Sequence, residues 1–142
     1  MEESISYGRK VLEETEKIEK LKHWVQQMLK KGTPGVEEMK SLRSINKQAK
    51  SNLATAETMM KLQTQRLVST SPKDKHTLEM LEKDVQKSRI SLKRASQTVL
   101  EIARFFQDSA QAAVREAKVQ LEQNVFNAKA DELGVNATLE TA

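Results

Sequence analysis

The stretch from Lys73 to Leu133 contains neither glycine nor proline, and its apolar residues recur every three or four positions. This spacing places apolar side chains on one face of an α-helix, whereas a strand would alternate them. The residues on this face are Leu78, Leu81, Val85, Leu92, Ala95, Val99, Ile102 and Phe106. The main structural prediction is therefore a long amphipathic helix.

Two earlier segments have the same heptad-like periodicity. The first carries Val11, Ile18, Leu21, Val25 and Met28, and the second carries Met39, Leu42, Ala49, Leu53, Ala56, Met60 and Leu67. Asn46 and Gln63 interrupt the second stripe, and such polar interruptions usually set helix register or the choice of partner helix. With only 4% aromatic residues and no strand-like alternation, the chain is predicted to be all-α.

Short connections separate the predicted helices. The first segment ends on Lys30-Lys31-Gly32, which puts two cations at the negative end of the helix dipole and a glycine at the cap. Thr33-Pro34 is typical of a helix start, because threonine caps the helix and proline fits its first position. Ser71-Pro72 repeats this pattern. Two tight helix-to-helix turns are therefore predicted.

Two architectures are consistent with the third helix. A single helix from residue 72 to 133 would extend about 90 Å, against about 40 to 55 Å for the two before it. Asp108 and Gln111 have the spacing of a capping box, which favours a break near Phe106. The favoured fold is an up-and-down antiparallel bundle of three to four long helices, at about 4–31, 34–69, 72–107 and 109–133. The alternative is a three-helix body with a long projecting third helix.

In either architecture, residues 1–133 are expected to form a single helical bundle domain, since one core suits a chain of 142 residues. Residues 134–142 are expected to be a frayed C-terminal tail.

Most catalytic and metal-binding constellations cannot be assembled from this composition. The chain has no cysteine and two histidines, His23 and His76, and its four glycines are too scattered for a phosphate-binding loop. The carboxylates mostly follow the spacing of helical ion pairs and do not converge on a cleft. No enzymatic activity, metal or cofactor is therefore expected.

The sequence offers no candidate for a membrane span or a signal peptide. No run without Asp, Glu, Lys or Arg exceeds seven positions, whereas a membrane-spanning helix needs about 20 apolar residues. The absence of cysteine is compatible with a reducing compartment. These features predict a cytoplasmic protein.

Two groups of cations are candidate binding residues. Lys40, Arg43, Lys47 and Lys50 form a basic stripe beside the apolar face of the second helix. The third helix carries Lys83, Lys87 and Arg94, together with Arg89 and Lys93. If the two groups align, they form a patch for an acidic membrane surface, nucleic acid or an acidic protein. The other interpretation is ordinary solvation, because 20 acidic residues are interspersed among 24 basic ones.

Two aromatic residues are candidate anchors for a partner. Trp24 precedes Val25 of the first stripe, and Phe105 precedes Phe106 of the third, so each lies at the edge of a core face. A large aromatic at such an edge can anchor a partner helix, because buried aromatic residues dominate interface energetics. It can equally close off the core of its own domain.

The layout of residues 4–107, three long helices joined by very short turns, resembles the N-terminal three-helix domains of SNARE proteins. It is also similar to spectrin-like, adaptor and focal-adhesion bundles. The C-terminal motif and membrane anchor of a complete SNARE are not found in this sequence, so the resemblance covers the N-terminal domain alone. It implies an all-α fold and is compatible with an isolated regulatory domain, but fold alone does not give function.

We therefore expect a non-catalytic protein–protein interaction module, an adaptor or assembly subunit such as those of trafficking or cytoskeletal complexes, acting by helix packing. The alternative is a basic helical module that binds an acidic membrane surface or nucleic acid. Self-association is compatible with either role, because heptad-like stripes serve intramolecular bundles and intermolecular coiled coils alike.

Overall fold

The structure, a computed structural model, describes residues 2–69 and 75–134. Over those residues it consists of three helices and contains no strand: α1 (Glu2–Lys30), α2 (Val36–Ser69) and α3 (Lys75–Leu133). The prediction of an all-α protein is confirmed. The helix start predicted at Ser71-Pro72 and the tail predicted after Gly134 lie outside the described residues.

The turn between α1 and α2 ends the first helix where the sequence predicted. The Lys31 and Gly32 amides donate to the carbonyls of Met28 and Leu29, each at 3.2 Å and three residues back, so the last turn of α1 tightens into 3₁₀-type bonding. Gly32 has a φ of 113°, in the region that favours glycine. Glycine at position 32 therefore allows the chain to leave α1 without backbone strain.

The start of α2 is two residues later than predicted. The Met39 amide donates to the Gly35 carbonyl at 2.9 Å, so Gly35 occupies the cap position and Thr33-Pro34 precedes it. Glu38 follows three residues after this cap, and a Cβ on residue 35 would come within 2.8 Å of Glu38 Oε2. The carboxylate of Glu38 thus lies over Gly35, where a side chain would be in the way. This arrangement favours glycine at the cap position of α2.

The predicted break near Phe106 is wrong. α3 continues as one helix from Lys75 to Leu133, so the separate helices expected at 72–107 and 109–133 are not formed. Asp108 and Gln111 have the spacing of a cap, but the alanines that follow are the strongest helix formers and stabilise the continuous helix. These alanines are Ala110, Ala112, Ala113 and Ala117.

The chain divides into two compact units, Met1–Phe106 and Gln107–Ala142. In the first unit, all three helices contribute to the core. The larger cluster comprises Ile18, Val25, Leu42, Ala49, Ala95, Val99 and Ile102. A smaller cluster comprises Val11, Met60 and Val85. The heptad-like stripes predicted from the sequence supply all of these residues.

Contacts between named residues give the helix directions within the first unit. Thr98 Oγ1 donates to Glu19 Oε1 at 2.9 Å, and Lys22 Nζ lies 2.8 Å from Glu101 Oε2. Positions on α3 therefore increase with positions on α1, so these two helices run in the same direction. Gly8, near the start of α1, adjoins Gln63, near the end of α2, which makes α2 run the opposite way.

Candidate interaction surfaces

Trp24 lies on the surface beside the α1–α2 turn. Its side chain is 66% exposed, although Val25 next to it is fully buried. It lines a pocket of about 290 Å³ together with Met28 and Pro34, and the pocket also meets Gln27, Lys31, Gly32, Thr33 and Glu38. The geometry thus leaves Trp24 accessible to a partner.

Phe105 has a different environment. It is partly buried and packs against the larger core cluster, as does its neighbour Phe106. Phe105 therefore closes the core of its own unit, which was the second of the two interpretations given to the edge aromatics. The sequence could not separate Trp24 from Phe105, because both stand one residue before a stripe position.

The four cations of α2 all lie on the surface. Lys40, Arg43, Lys47 and Lys50 are exposed on the side of α2 away from the buried Leu42 and Ala49. Lys40 Nζ lies 3.6 Å from Glu37 Oε1, and both of these side chains are largely exposed. Such an exposed pair contributes about 0 to 1 kcal/mol to stability, so Lys40 is only weakly paired and stays in contact with solvent.

The cations of α3 fall on two sides of that helix. At 100° per residue, Lys83, Lys87 and Arg94 share one side, and Arg89 and Lys93 lie on another. All five are exposed. Arg89 donates to Gln86 Oε1 at 3.3 Å.

The two cation groups do not form one continuous patch. Because α2 and α3 run in opposite directions, Lys40 and Lys83 lie near opposite ends of α1, whose 29 residues span roughly 40 Å. Lys50 and Arg94 are the closest pair along the bundle axis. Lys50 follows Ala49, Arg94 precedes Ala95, and both alanines belong to the larger core cluster.

The second unit carries a surface that sequence analysis missed, named here the α3 apolar stripe. It comprises Ala110, Val114, Ala117, Leu121, Val125 and Ala128, at spacings of four, three, four, four and three. Val114, Leu121 and Val125 are 67%, 64% and 56% exposed. The helical spacing is visible in the sequence, but the sequence analysis followed the stripe of the third helix only as far as Phe106.

The contact between α1 and α3 includes one titrating group with a shifted pKa. The hydrogen bond from Lys22 to Glu101 raises the pKa of the Lys22 ammonium above its usual 10.5. Burial acts in the opposite direction, whereas the charges of Glu101 and Glu19 add to the increase. This ion pair joins α1 to α3.

Gly8, Gln63 and Ser88 bring polar groups together inside the first unit. Gln63 is fully buried, and neither of its amide atoms has a hydrogen-bond partner among the described residues. Ser88 is 1% exposed, and its Oγ also has no partner there. Gly8 provides the space for the amide, because a Cβ on residue 8 would lie 2.6 Å from Gln63 Nε2. Sequence analysis identified Gln63 as a polar interruption but not the other two residues.

Two further properties and three comparisons complete the description. Within residues 2–69 and 75–134, no helix is both long and apolar enough to cross a membrane. Over the same residues, no group of three or more His, Asp or Glu side chains is arranged to hold a metal ion. No protein-family model matches the chain, and no curated protein or solved structure is significantly similar to it.

Proposed function

We propose that this chain is a non-catalytic protein–protein interaction module, an adaptor or assembly subunit that binds a partner helix along the α3 apolar stripe. The exposure of Val114, Leu121 and Val125 carries this proposal. Scattered exposed apolar residues are normal on a protein surface, but these three lie on one helical face together with alanines. Burying them against a second apolar helix would remove apolar surface from water and so contribute favourably to the free energy of binding.

The dimensions of the stripe suit a helix as the partner. From residue 110 to 128 the stripe extends about 27 Å at 1.5 Å per residue. Its alternation of alanines with Val114, Leu121 and Val125 provides the small and large side chains that interdigitate between packed helices. We further propose that the first unit is an up-and-down three-helix bundle and that the protein acts in the cytoplasm, which its lack of cysteine supports.

Site-specific cross-linking tests this function. A photoreactive amino acid at position 121, within the stripe, is compared with the same group at position 123, on the other side of the helix. Each protein is incubated in nuclease-treated lysate at low and high salt. We expect position 121 to yield a discrete protein adduct at both salt concentrations, since apolar docking depends little on ionic strength. Equal adducts from both positions would contradict the proposal.

Matched variants separate the stripe from general helix stability. The test protein carries Val114→Ser, Leu121→Ser and Val125→Ser, and the control carries Gln120→Ser, Gln123→Ser and Asn127→Ser. Serine is a weaker helix former than leucine and glutamine and is similar to valine and asparagine, so both proteins test the effect of added serine on α3. We expect the adduct to disappear in the test protein alone. Loss in both proteins would mean that helix stability, not the stripe, governs binding.

The alternative, a basic module for acidic membranes or nucleic acid, is favoured by one observation. Arg43, Lys47 and Lys50 are exposed and have no ion pair within 4.0 Å among the described side chains. Binding of this type would weaken steeply with salt and would fall when these residues become glutamine. Retention by anionic vesicles or duplex DNA that survives high salt would argue against it.

A further inference from the structure

A pocket of about 190 Å³, named here the Ser88 pocket, lies between residues 5–12 of α1 and residues 84–88 of α3. Ile5 and Leu12 provide its apolar wall, Arg9 and Lys87 its cations, and Asp84 its one carboxylate. Gly8 and Ser88 complete the lining. Every lining residue belongs to the first unit, so the pocket shares none of the residues of the α3 apolar stripe.

Buried polar groups that lack hydrogen-bond partners in the described part of the chain lie beside this pocket. Ser88 Oγ has no partner among the described residues, although the residue is almost entirely buried. Gln63 lies behind Gly8 with an amide that is also unpartnered. A buried polar group without a partner costs about 1 to 3 kcal/mol, so a ligand that accepts a hydrogen bond from Ser88 would recover part of this cost.

The charges around the pocket favour an anion. Arg9 and Lys87 are exposed, and neither has an ion pair within 4.0 Å among the described side chains. Asp84 is likewise unpaired there, so two positive charges face one negative charge. A carboxylate can pair with Arg9 or Lys87 and accept a hydrogen bond from a hydroxyl at the same time.

The apolar wall adds a second requirement. Ile5 and Leu12 are 41% and 42% exposed, so each keeps apolar surface in contact with solvent. A branched aliphatic group placed against them would bury that surface favourably. The ligand therefore combines an aliphatic side chain with a carboxylate next to it.

We infer that the Ser88 pocket binds an acidic segment of a partner protein, in which a leucine-like side chain adjoins an aspartate or glutamate. The aliphatic group packs on Ile5 and Leu12, and the carboxylate pairs with Arg9 and Lys87 and accepts a hydrogen bond from Ser88. Charge complementarity selects such a segment over a basic one, which Arg9 and Lys87 would repel.

The test uses the ¹⁵N-labelled full chain and three probes, with amide shifts followed by NMR. The first probe is acetyl-Gly-Leu-Asp-Gly-amide, the second has Asn in place of Asp, and the third is isovalerate, a free branched acid. We expect the Asp peptide to shift the Gly8 and Ser88 amides, with a dissociation constant on the order of 1 mM for so small a contact. The Asn peptide should bind about fivefold or more weakly, which is the loss of one charge-assisted hydrogen bond.

Each other outcome overturns the inference. Equal binding of the Asp and Asn peptides would show that the carboxylate is not recognised. Amide shifts confined to other regions would show that the peptide does not bind in the Ser88 pocket. Isovalerate binding as tightly as the Asp peptide would identify a free acid as the occupant and would exclude a protein segment.

Variants of the pocket complete the test. Lys87→Gln and Ser88→Ala should each weaken the Asp peptide about threefold or more, since each removes one hydrogen bond or ion pair. Lys93→Gln is the matched control, because Lys93 lies on another side of α3 and is also exposed. Ser88→Ala should leave the chain folded, since it removes a hydroxyl that has no partner. A folded Ser88→Ala protein that binds like the parent would overturn the role of the hydroxyl.

Discussion

A Cβ atom placed on Gly8 would lie 2.6 Å from Gln63 Nε2, closer than a carbon and an amide nitrogen approach without displacement. Gly8 and Gln63 thus form one packing unit across α1 and α2. Gly8→Ala tests this relationship through the sign of its effect. Alanine replacing glycine within a helix usually stabilises by about 0.5 to 1 kcal/mol, whereas overpacking here should destabilise by about 1 to 3 kcal/mol.

Urea unfolding of the Gly8→Ala protein measures this change in the free energy of unfolding. The double variant Gly8→Ala with Gln63→Ala is the control, because a shorter side chain at position 63 leaves room for the added methyl group. We expect the penalty of Gly8→Ala to disappear in that background. An increase in stability from Gly8→Ala alone would show that Gln63 moves aside at no cost.

The Lys22–Glu101 pair predicts a pH dependence at alkaline pH. The pKa of Lys22 is raised in the folded protein by its hydrogen bond to Glu101, so the protonated form stabilises the fold. This contribution is fully present below the unfolded-state pKa of about 10.4 and is lost as pH rises through the higher folded-state value. Lys22→Met should therefore reduce the loss of stability above about pH 10, while it leaves stability near neutral pH only slightly lower.

A double-mutant cycle with Lys22→Met and Glu101→Gln gives the coupling energy of the pair. We expect about 0.2 to 1 kcal/mol, because solvent screens a pair in which Glu101 is about half exposed. A coupling energy of zero at pH 8, or an unchanged alkaline limb in Lys22→Met, would mean that the ion pair does not stabilise the fold.

Truncation of Phe105 should lower the free energy of unfolding much more than truncation of Trp24. Phe105→Ala removes a ring that packs against the larger core cluster and should cost about 1 to 3 kcal/mol, less than the 3 to 5 typical of a fully buried ring. Trp24→Ala removes a largely exposed side chain and should change stability by about 0.5 kcal/mol or less. Thermal unfolding of both variants measures the difference. A large destabilisation by Trp24→Ala would assign that residue to the core.

The continuity of α3 can be tested at Asp108. If Asp108 capped a separate helix, Asp108→Ala would cost about 0.5 to 2 kcal/mol. In a continuous helix the same change should be neutral or slightly stabilising, because alanine is the better helix former. Circular dichroism and urea unfolding distinguish these outcomes, and Asp131→Ala, a substitution of the same type later in α3, serves as the control.

Sequence periodicity predicted the core residues of the first unit, because the amphipathic stripes of its three helices pack against one another. It located the end of α1 at Gly32, since a positive φ there requires glycine. It misplaced the start of α2, because Gly35 and Glu38 cap the helix through a backbone carbonyl and a folded-back side chain. It also predicted a break in α3, because capping-box spacing does not reveal whether a helix actually ends.

The candidate surfaces were harder to predict. Whether Trp24 or Phe105 is exposed depends on which neighbouring helix covers each edge, and a single helix pattern does not contain that information. The residues of both cation groups are exposed, but their separation follows from the opposite directions of α2 and α3. The Ser88 pocket combines α1 and α3 residues about 80 positions apart, and no local pattern in the chain links them.

Two polar contacts between α1 and α3, Thr98 with Glu19 and Lys22 with Glu101, each connect residues 79 positions apart. Closing so long a loop costs entropy, whereas α1 and α2 meet across a turn of a few residues. The order of folding follows from this difference: the α1–α2 hairpin should form early and α3 should dock late. Substitutions at Lys22 or Thr98 should then accelerate unfolding and leave the folding rate nearly unchanged in stopped-flow measurements. The lifetime of the native state, more than the speed of reaching it, would depend on how firmly α3 is attached.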